Sequence, residues 1–471
     1  MQHALVIGGS VAGLVAARVL CDHFARVTVL EKDSLEGGAH FRKGVPHGRQ
    51  PHILLLRGQR ILEELFPGFV ADLQQAGAVT LNMGLDFEWF SNGQCRPRYR
   101  SAILSTACTR PLLESILRQR VTTLPQVVVR QETTVVALAV DDGAGARVNG
   151  VYCAQRGQEE RERLAADLVV DASGRFSRAP DWLQAHGFNP PEETVVDGFP
   201  GYAMRLCRRP SGFAEPWKGL YIQPTPPHGT RGAIINPVED DCWQVLMIGM
   251  AQDYPPTDEA GYLAFAHSLP SLKAYQALRA AEPLGPIWGF RRAENCLRHY
   301  ERLPRHLERF LVLGDAVCAL NPVYGQGMSV AALGAKTLDN CLRQQHRKAP
   351  GESLMGLARR FQQQLARVVR GPFDLATGED RRWPVTAGNG ATAPQGALTR
   401  LAQRYVDRLL WATTRSPRLT EAFYRVQQMI APPTHLFRPD IVLQVLAAGR
   451  KQQEPGSGRW RVAGADAPPK L

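Results

Sequence analysis

The segment Gly8-Gly9-Ser10-Val11-Ala12-Gly13 lies between a short apolar run, residues 4–7, and a stretch of helical composition, residues 14–24. Glycine at the first and sixth positions of such a turn allows a tight reversal and close packing of helix on strand. The new helix then aims its free N–H groups at a pyrophosphate. A dinucleotide-binding turn also carries glycine at the third position, where this chain has Ser10. Serine is small, and its hydroxyl can donate to a phosphate. Glu31 closes the next strand, residues 26–31, where a carboxylate accepts hydrogen bonds from ribose hydroxyls. The plain alternative is a strand-to-helix turn of another open-sheet protein. The strand before, the helix after and Glu31 in place favour dinucleotide binding.

Two further segments end apolar strands in small residues and carboxylates. Residues 309–314 lead into Gly314-Asp315-Ala316, and Asn321-Pro322-Val323-Tyr324-Gly325-Gln326-Gly327-Met328 follows within a dozen residues. Asp315 either hydrogen-bonds a polyol or caps the helix that follows. The N-terminus of the helix near Gly327 suits an electron-rich ring. Residues 166–178 form a buried strand ending in Asp171-Ala172-Ser173-Gly174, with Arg175 and Arg178 after it.

The elements that must position these residues read as a doubly wound parallel sheet with an insertion. A strand, turn, helix and strand occupy the first 31 residues, and strands recur near 127–140, 147–155, 167–171 and 309–314. The expected units are 1–76, 110–189 and 286–350 for the binding domain, and 77–109 with 190–285 for a mostly antiparallel β-sheet substrate domain. Helices are expected over 351–450 and a frayed tail over 451–471. Hydrophobic residues are 44% and charged residues 21%, enough apolar content for a sizeable core. The net charge of +12 comes from scattered arginines rather than a basic run interleaved with aromatics, so no nucleic-acid partner is expected. Nine cysteines, none spaced Cys-x-x-Cys, argue against a metal centre or a disulfide framework and for a reducing, cytoplasmic setting. No apolar run approaches the ~18 residues of a transmembrane span. The C-terminal helices either cover the core or rest on a membrane surface.

Together the three segments resemble the FAD-dependent monooxygenases of the aromatic hydroxylase and squalene epoxidase superfamily. Gly44-Val45-Pro46-His47-Gly48-Arg49-Gln50-Pro51-His52-Ile53-Leu54-Leu55, the Asn321 to Met328 segment and Ala376-Thr377-Gly378-Glu379-Asp380 are similar to a bacterial branch of polyether-type epoxidases and natural-product hydroxylases. The resemblance implies a non-covalent FAD. Gly8, Ser10, Ala12, Gly13, Glu31 and Lys32 would serve its ADP half, and Arg110 its phosphates. Gly314 and Asp315 would serve the ribitol, and Pro322, Gly325, Gly327 and Met328 the pyrimidine edge of the flavin. Arg49, Val135 and Asp171 complete the implied contacts. A surface salt bridge is the alternative for Arg110, and a structural role the alternative for His52.

The implied reaction uses reduced flavin and dioxygen to epoxidise or hydroxylate an apolar alkene or aromatic ring. The protein excludes water and positions the substrate, and no side chain is assigned a catalytic role. Trp89, Tyr221, Trp243 and Trp288, with Phe87, Tyr202 and Phe290, are candidates for an apolar pocket over the flavin. Ser173-Gly174 stands where aromatic hydroxylases carry Asp-Gly, a pair linked to handling the reductant. NADPH or NADH binding transiently and a separate flavin reductase are therefore both open. A flavin halogenase would bring Trp-x-Trp and an essential lysine. This chain has neither that motif nor any lysine between Lys43 and Lys218. A prenyl-chain reductase or cyclase on the same fold remains an alternative, marked by a lack of oxygen consumption. A catalytically silent FAD-binding protein is another.

Overall fold

Five short apolar strands form a parallel sheet in the order Phe310–Val312, Leu168–Asp171, His3–Ile7, Arg26–Leu30, Val127–Arg130. They are near-continuous hydrophobic runs because helices and a second sheet cover both faces. In the computed structural model, which describes residues 1–141, 146–158, 160–291, 293–348, 353–392 and 396–448, the register is in step at one edge. Ile7 lies opposite Leu30 and Asp171, and Asp171 lies opposite Val312. The turns that begin at Gly8, Ala172 and Leu313 therefore leave the sheet side by side at its C-terminal edge, where open α/β sheets bind ligands. The helices Val11–Leu20 and Gly327–Lys348 pack together on this sheet. An antiparallel meander, Thr133–Asp141, Arg147–Gln155 and Arg161–Ala165, attaches to it.

The second unit is a larger, mostly antiparallel sheet. Its order is Glu282–Pro283, Gly201–Arg208, Cys242–Gly249, Arg231–Val238, Gly219–Ile222, Phe87–Ser91, Gln94–Cys95, with Trp288–Phe290 also pairing to Gly201–Arg208. One pair is parallel, Gly219–Ile222 on Phe87–Ser91, because the two strands come from distant parts of the chain. Glu193–Val196 stands apart from this sheet and pairs with Asn295–Arg298, which pairs in turn with Cys318–Ala319. Val79–Asn82 and Leu104–Ala107 likewise form a separate small sheet with Ile53–Leu54.

Both faces of the large sheet are covered. The outer face buries Ala203, Leu220, Ile235, Trp243 and Met247 under the helices Glu259–His267 and Lys273–Ala280. The inner face carries Tyr202, Met204, Tyr221, Ile234, Leu246 and Ile248, and at its far end Phe87 and Trp89. Phe423 and Tyr424 of the helix Pro417–Gln427 close that end, with ring centroids 5.6 Å and 5.8 Å from Trp89. No helix among the described residues is long and apolar enough to cross a membrane. The expected tail over 451–471 lies outside the described residues.

Candidate cofactor site and the apolar face beside it

The first turn is built by exclusion. Gly8 has φ +101°, and a Cβ there would lie 2.7 Å from the Ala172 carbonyl oxygen. A Cβ on Gly13 would lie 1.8 Å from the carbonyl oxygen of Gly8. The turn thus takes only glycine at both positions, and the helix Val11–Leu20 starts hard against the strand. Ala12 reaches the second segment, since a Cβ on Gly314, at φ +67°, would lie 2.8 Å from the Ala12 methyl. A Cβ on Gly327 would be 3.9 Å from Asp315 Oδ1. The first helix, Asp315 and the N-terminus of the helix Gly327–Lys348 therefore meet at one place. Gly325, in the left-handed region at φ +66°, turns the chain into that helix.

The carboxylate of Glu31 is buried at the end of its strand. Its Oε2 accepts from the Gly9 N–H at 2.7 Å and its Oε1 from the Asp33 N–H at 2.9 Å. Arg42 lies 3.4 Å from Glu31 and 3.3 Å from Asp33 and is paired to Glu114. Ser10 Oγ donates to Glu114 at 2.7 Å and accepts from Arg110 Nη2 at 3.0 Å. Burial opposes the charge of Glu114, but the Arg110 and Arg42 guanidiniums outweigh it and hold the carboxyl below its usual range. Arg110 is buried, not on the surface; it opens the helix Arg110–Thr122, and its guanidinium reaches Ser10 at the N-terminus of the first helix. Arg42, Asp33 and Glu114 were not visible as site residues in the sequence, because each acts through partners 9 to 104 positions away.

The other expected contacts are distributed as follows. Lys32 is exposed, and Val135 is buried on the meander strand next to Glu31, whose carbonyl accepts from the Thr133 N–H. Asp171 is fully buried, and its oxygens are committed to its own turn, accepting from the Ser173 N–H at 2.9 Å and Ser177 Oγ at 2.5 Å. It shapes the turn beside Gly8. Pro322 opens a short helical turn, and Met328 is buried in the core beneath it. The Arg49 guanidinium is sandwiched 3.7 Å over Trp288 and 4.6 Å over Phe41. His47 lies among Arg110, Asp315, Arg175 and Glu114. Burial first, then Arg110, lowers its pKa to about 4, so it is neutral at pH 7. His52 is also held well below its ordinary value by burial, and its Nδ1 sits 2.7 Å from the Gln50 carbonyl.

The inner face of the large sheet meets this edge. Tyr202 Oη donates to Asn321 Oδ1 at 2.5 Å, Val323 packs among Tyr202, Ile234 and Leu246, and Gln244 Nε2 donates to the Arg49 carbonyl at 3.0 Å. Trp89, Tyr221, Phe87, Tyr202, Trp288 and Phe290 all point to this side by strand parity. Trp243 does not, and the expectation that it lines the pocket is corrected. It is buried on the outer face, stacked 5.9 Å from Trp217 and in an edge contact 4.8 Å from Phe213. Sequence could not separate the faces, because the strand Cys242–Gly249 is buried along its whole length and shows no alternation.

The arrangement fits an FAD. The glycine cradle leaves room for a backbone-close pyrophosphate, Arg110 and Ser10 stand at the helix terminus, and Asp315 faces the second helix end. Replacing Asp315 with alanine is expected to weaken FAD binding about ten- to a hundred-fold, the worth of a charged acceptor, with the fold intact. Titration of the apo-variant with FAD measures this, and unchanged affinity would make Asp315 a helix cap.

Comparison with known proteins gives consistent results. The family model described as "FAD binding domain" matches residues 1–360. Protein Rv3254 of Mycobacterium tuberculosis is 32% identical over 370 residues, covering 74% of this chain and 75% of its own. Among solved structures, the flavin-dependent brominase Bmp2 superposes with TM-score 0.65 at 14% identity, over 95% of this chain and 98% of its own. PqsL of Pseudomonas aeruginosa, described as a probable FAD-dependent monooxygenase, superposes with TM-score 0.59 at 16% identity, over 80% of this chain and 96% of its own. At these identities the two structures share the fold with this chain.

Proposed function

Because the chain belongs to the FAD-binding-domain family, we propose that it is a flavin-dependent monooxygenase that epoxidises or hydroxylates an apolar alkene or aromatic intermediate of bacterial secondary metabolism. The observation that carries this reading is the apolar, aromatic sheet face joined to the Asn321–Met328 segment through Tyr202 and Val323. FAD, when bound, supplies the two-electron reduction and the reaction with dioxygen. The chain supplies the rest. Gly8, Gly13 and the first helix hold the pyrophosphate, with Arg110 beside them. The N-terminus of the helix Gly327–Lys348 favours negative charge on the ring nearest it. Tyr202, Tyr221, Ile234 and Leu246 keep water from the reacting face and give an apolar substrate its contact area. NADPH or NADH is the proposed electron donor, and a separate reductase is the arrangement that Ser173-Gly174 leaves available.

The test is product mass under isotopically labelled dioxygen. One labelled oxygen atom in the product is expected, and unlabelled product sinks the reading. Bromide in the same assay scores the halogenase alternative by product mass. Tyr221→Ala is expected to raise hydrogen peroxide release severalfold per reductant consumed, because the enlarged chamber admits water to the reaction. Unchanged coupling in that variant would remove Tyr221 from the chamber while leaving the oxygen chemistry in place.

A further inference from the structure

At the far end of the same sheet face lies a buried guanidinium with no carboxylate partner. Arg96 follows the strand Gln94–Cys95, and its N–H donates to the Trp89 carbonyl at 3.0 Å, so the two residues stand opposite each other. The residue is only 5% exposed, Nε, Nη1 and Nη2 make no hydrogen bond of good geometry, and the one polar group that interacts closely with the guanidinium is the neutral Tyr424 hydroxyl. Around it are rings. The guanidinium carbon is 3.9 Å from the centroid of Trp89, 4.4 Å from Phe423 and 5.3 Å from Tyr424. Glu421, one turn from Tyr424, makes no ion pair with it: its Oε2 accepts from Tyr99 at 3.0 Å and Ser101 at 2.6 Å, and its Oε1 is buried without a partner. At the cofactor edge, by contrast, Arg42, Arg110 and Arg175 each have a carboxylate partner.

Cation–π contact stabilises a desolvated cation by less than it costs to bury one. A guanidinium with five donors kept in that setting is poised for a planar anion, which it can bind through two parallel N–H bonds. The cage adjoins the apolar inner face of the sheet through Tyr221. Tyr221 lies 4.9 Å from Trp89 in a ring-edge contact, is only part-buried, and packs also against the cluster that holds Tyr202, Leu246 and Val323.

We propose that Arg96 anchors the carboxylate of the substrate, which is thus an apolar aromatic or polyene acid lying along Trp89 and Tyr221 with its reacting end at the Asn321–Met328 segment. This deepens the monooxygenase reading and rests on that reading for the identity of the chamber.

The experiment is equilibrium dialysis of 2-naphthoate and its neutral isostere 2-naphthamide against the FAD-loaded full chain. The acid is expected to bind at least about tenfold more tightly than the amide. Arg96→Met, close in length and without charge, should weaken the acid about ten- to a hundred-fold and leave the amide within about threefold. Arg96→Lys should fall between. Removing an unpartnered buried charge is expected to hold or raise Tm, so the methionine variant remains testable, and Arg96→Gln provides a second neutral side chain. Equal binding of acid and amide, no binding of the acid, or an Arg96→Met variant that binds the acid like the parent chain overturns the proposal and leaves Arg96 a ring-stacked plug. These are binding measurements without turnover. Acid preference with unlabelled product would sink only the oxygen chemistry, and labelled product with no acid preference would sink only the anchor.

Discussion

Gly13→Ala is expected to cost at least about a hundred-fold in FAD affinity, some 2.7 kcal/mol, while most helical and strand content survives. The added methyl carbon would sit 1.8 Å from the Gly8 carbonyl oxygen, 2.9 Å from its carbon and 3.3 Å from Val6 Cγ1. None of these can yield locally. Gly8 is fixed by the bond from its N–H to the Leu30 carbonyl at 2.8 Å, and its φ of +101° leaves the turn no second conformation that keeps that bond. Relief requires the helix Val11–Leu20 to lift from the strand, which carries its N–H groups away from the pyrophosphate position and breaks the Ser10 link to Arg110 and Glu114. Gly378→Ala is the control. It lies in the helix Leu357–Asp380 with nothing within 4 Å of a new Cβ, so it should be neutral or stabilising by about 0.5–1 kcal/mol. Flavin-fluorescence titration of the two apo-variants, with Tm alongside, checks the pair. Wild-type affinity in Gly13→Ala would mean that this turn does not carry the cofactor.

What sequence conveyed and what it hid divide along physical lines. The parallel sheet was legible because its strands are short apolar runs ending in glycine and carboxylate, and local sequence dictates such turns. Gly8, Gly13, Glu31, Gly314 and Asp315 share the C-terminal edge for that reason. The third turn position was ambiguous. Ser10 proves to be a relay, donating to Glu114 and accepting from Arg110, and neither partner is within 90 residues of it. Faces of the large sheet were not legible where both sides are buried, which is why Tyr221 and Trp243 looked alike and point opposite ways. Asp171 shows the converse limit. A carboxylate at a strand end has the same local signature whether it faces a ligand or turns back on its own loop, and here it turns back.

Asp380 was recognisable only as part of a short motif, yet it organises the segment proposed to lie against the flavin. It is fully buried at the C-terminal end of the helix Leu357–Asp380. It accepts from Tyr324 Oη at 2.6 Å, from Asn295 Nδ2 at 2.6 Å and from Asn321 Nδ2 at 3.3 Å, and the Asn321 N–H donates in turn to Asn295 Oδ1 at 2.8 Å. Asp380→Ala strands three buried donors and is expected to cost about 3–5 kcal/mol of stability, with loosened FAD as a consequence of a loosened Tyr324. The pH dependence has a definite sign. Burial pushes the carboxyl up to about 6 from its ordinary 3.8, and the hydrogen bonds from Tyr324, Asn321 and Asn295 oppose but do not cancel it. Between those values the folded chain holds a proton that the unfolded chain has released. The contribution of this group to stability is therefore full below about pH 4 and is lost as pH rises through about 6, about 3 kcal/mol in all. Asp380→Asn cannot titrate, so the stability of the parent chain relative to this variant should fall by about 2 kcal/mol between pH 4 and pH 7. Urea unfolding of both proteins across that range reads the difference directly. A constant offset would mean that Asp380 is ionised throughout, held by its three donors against burial.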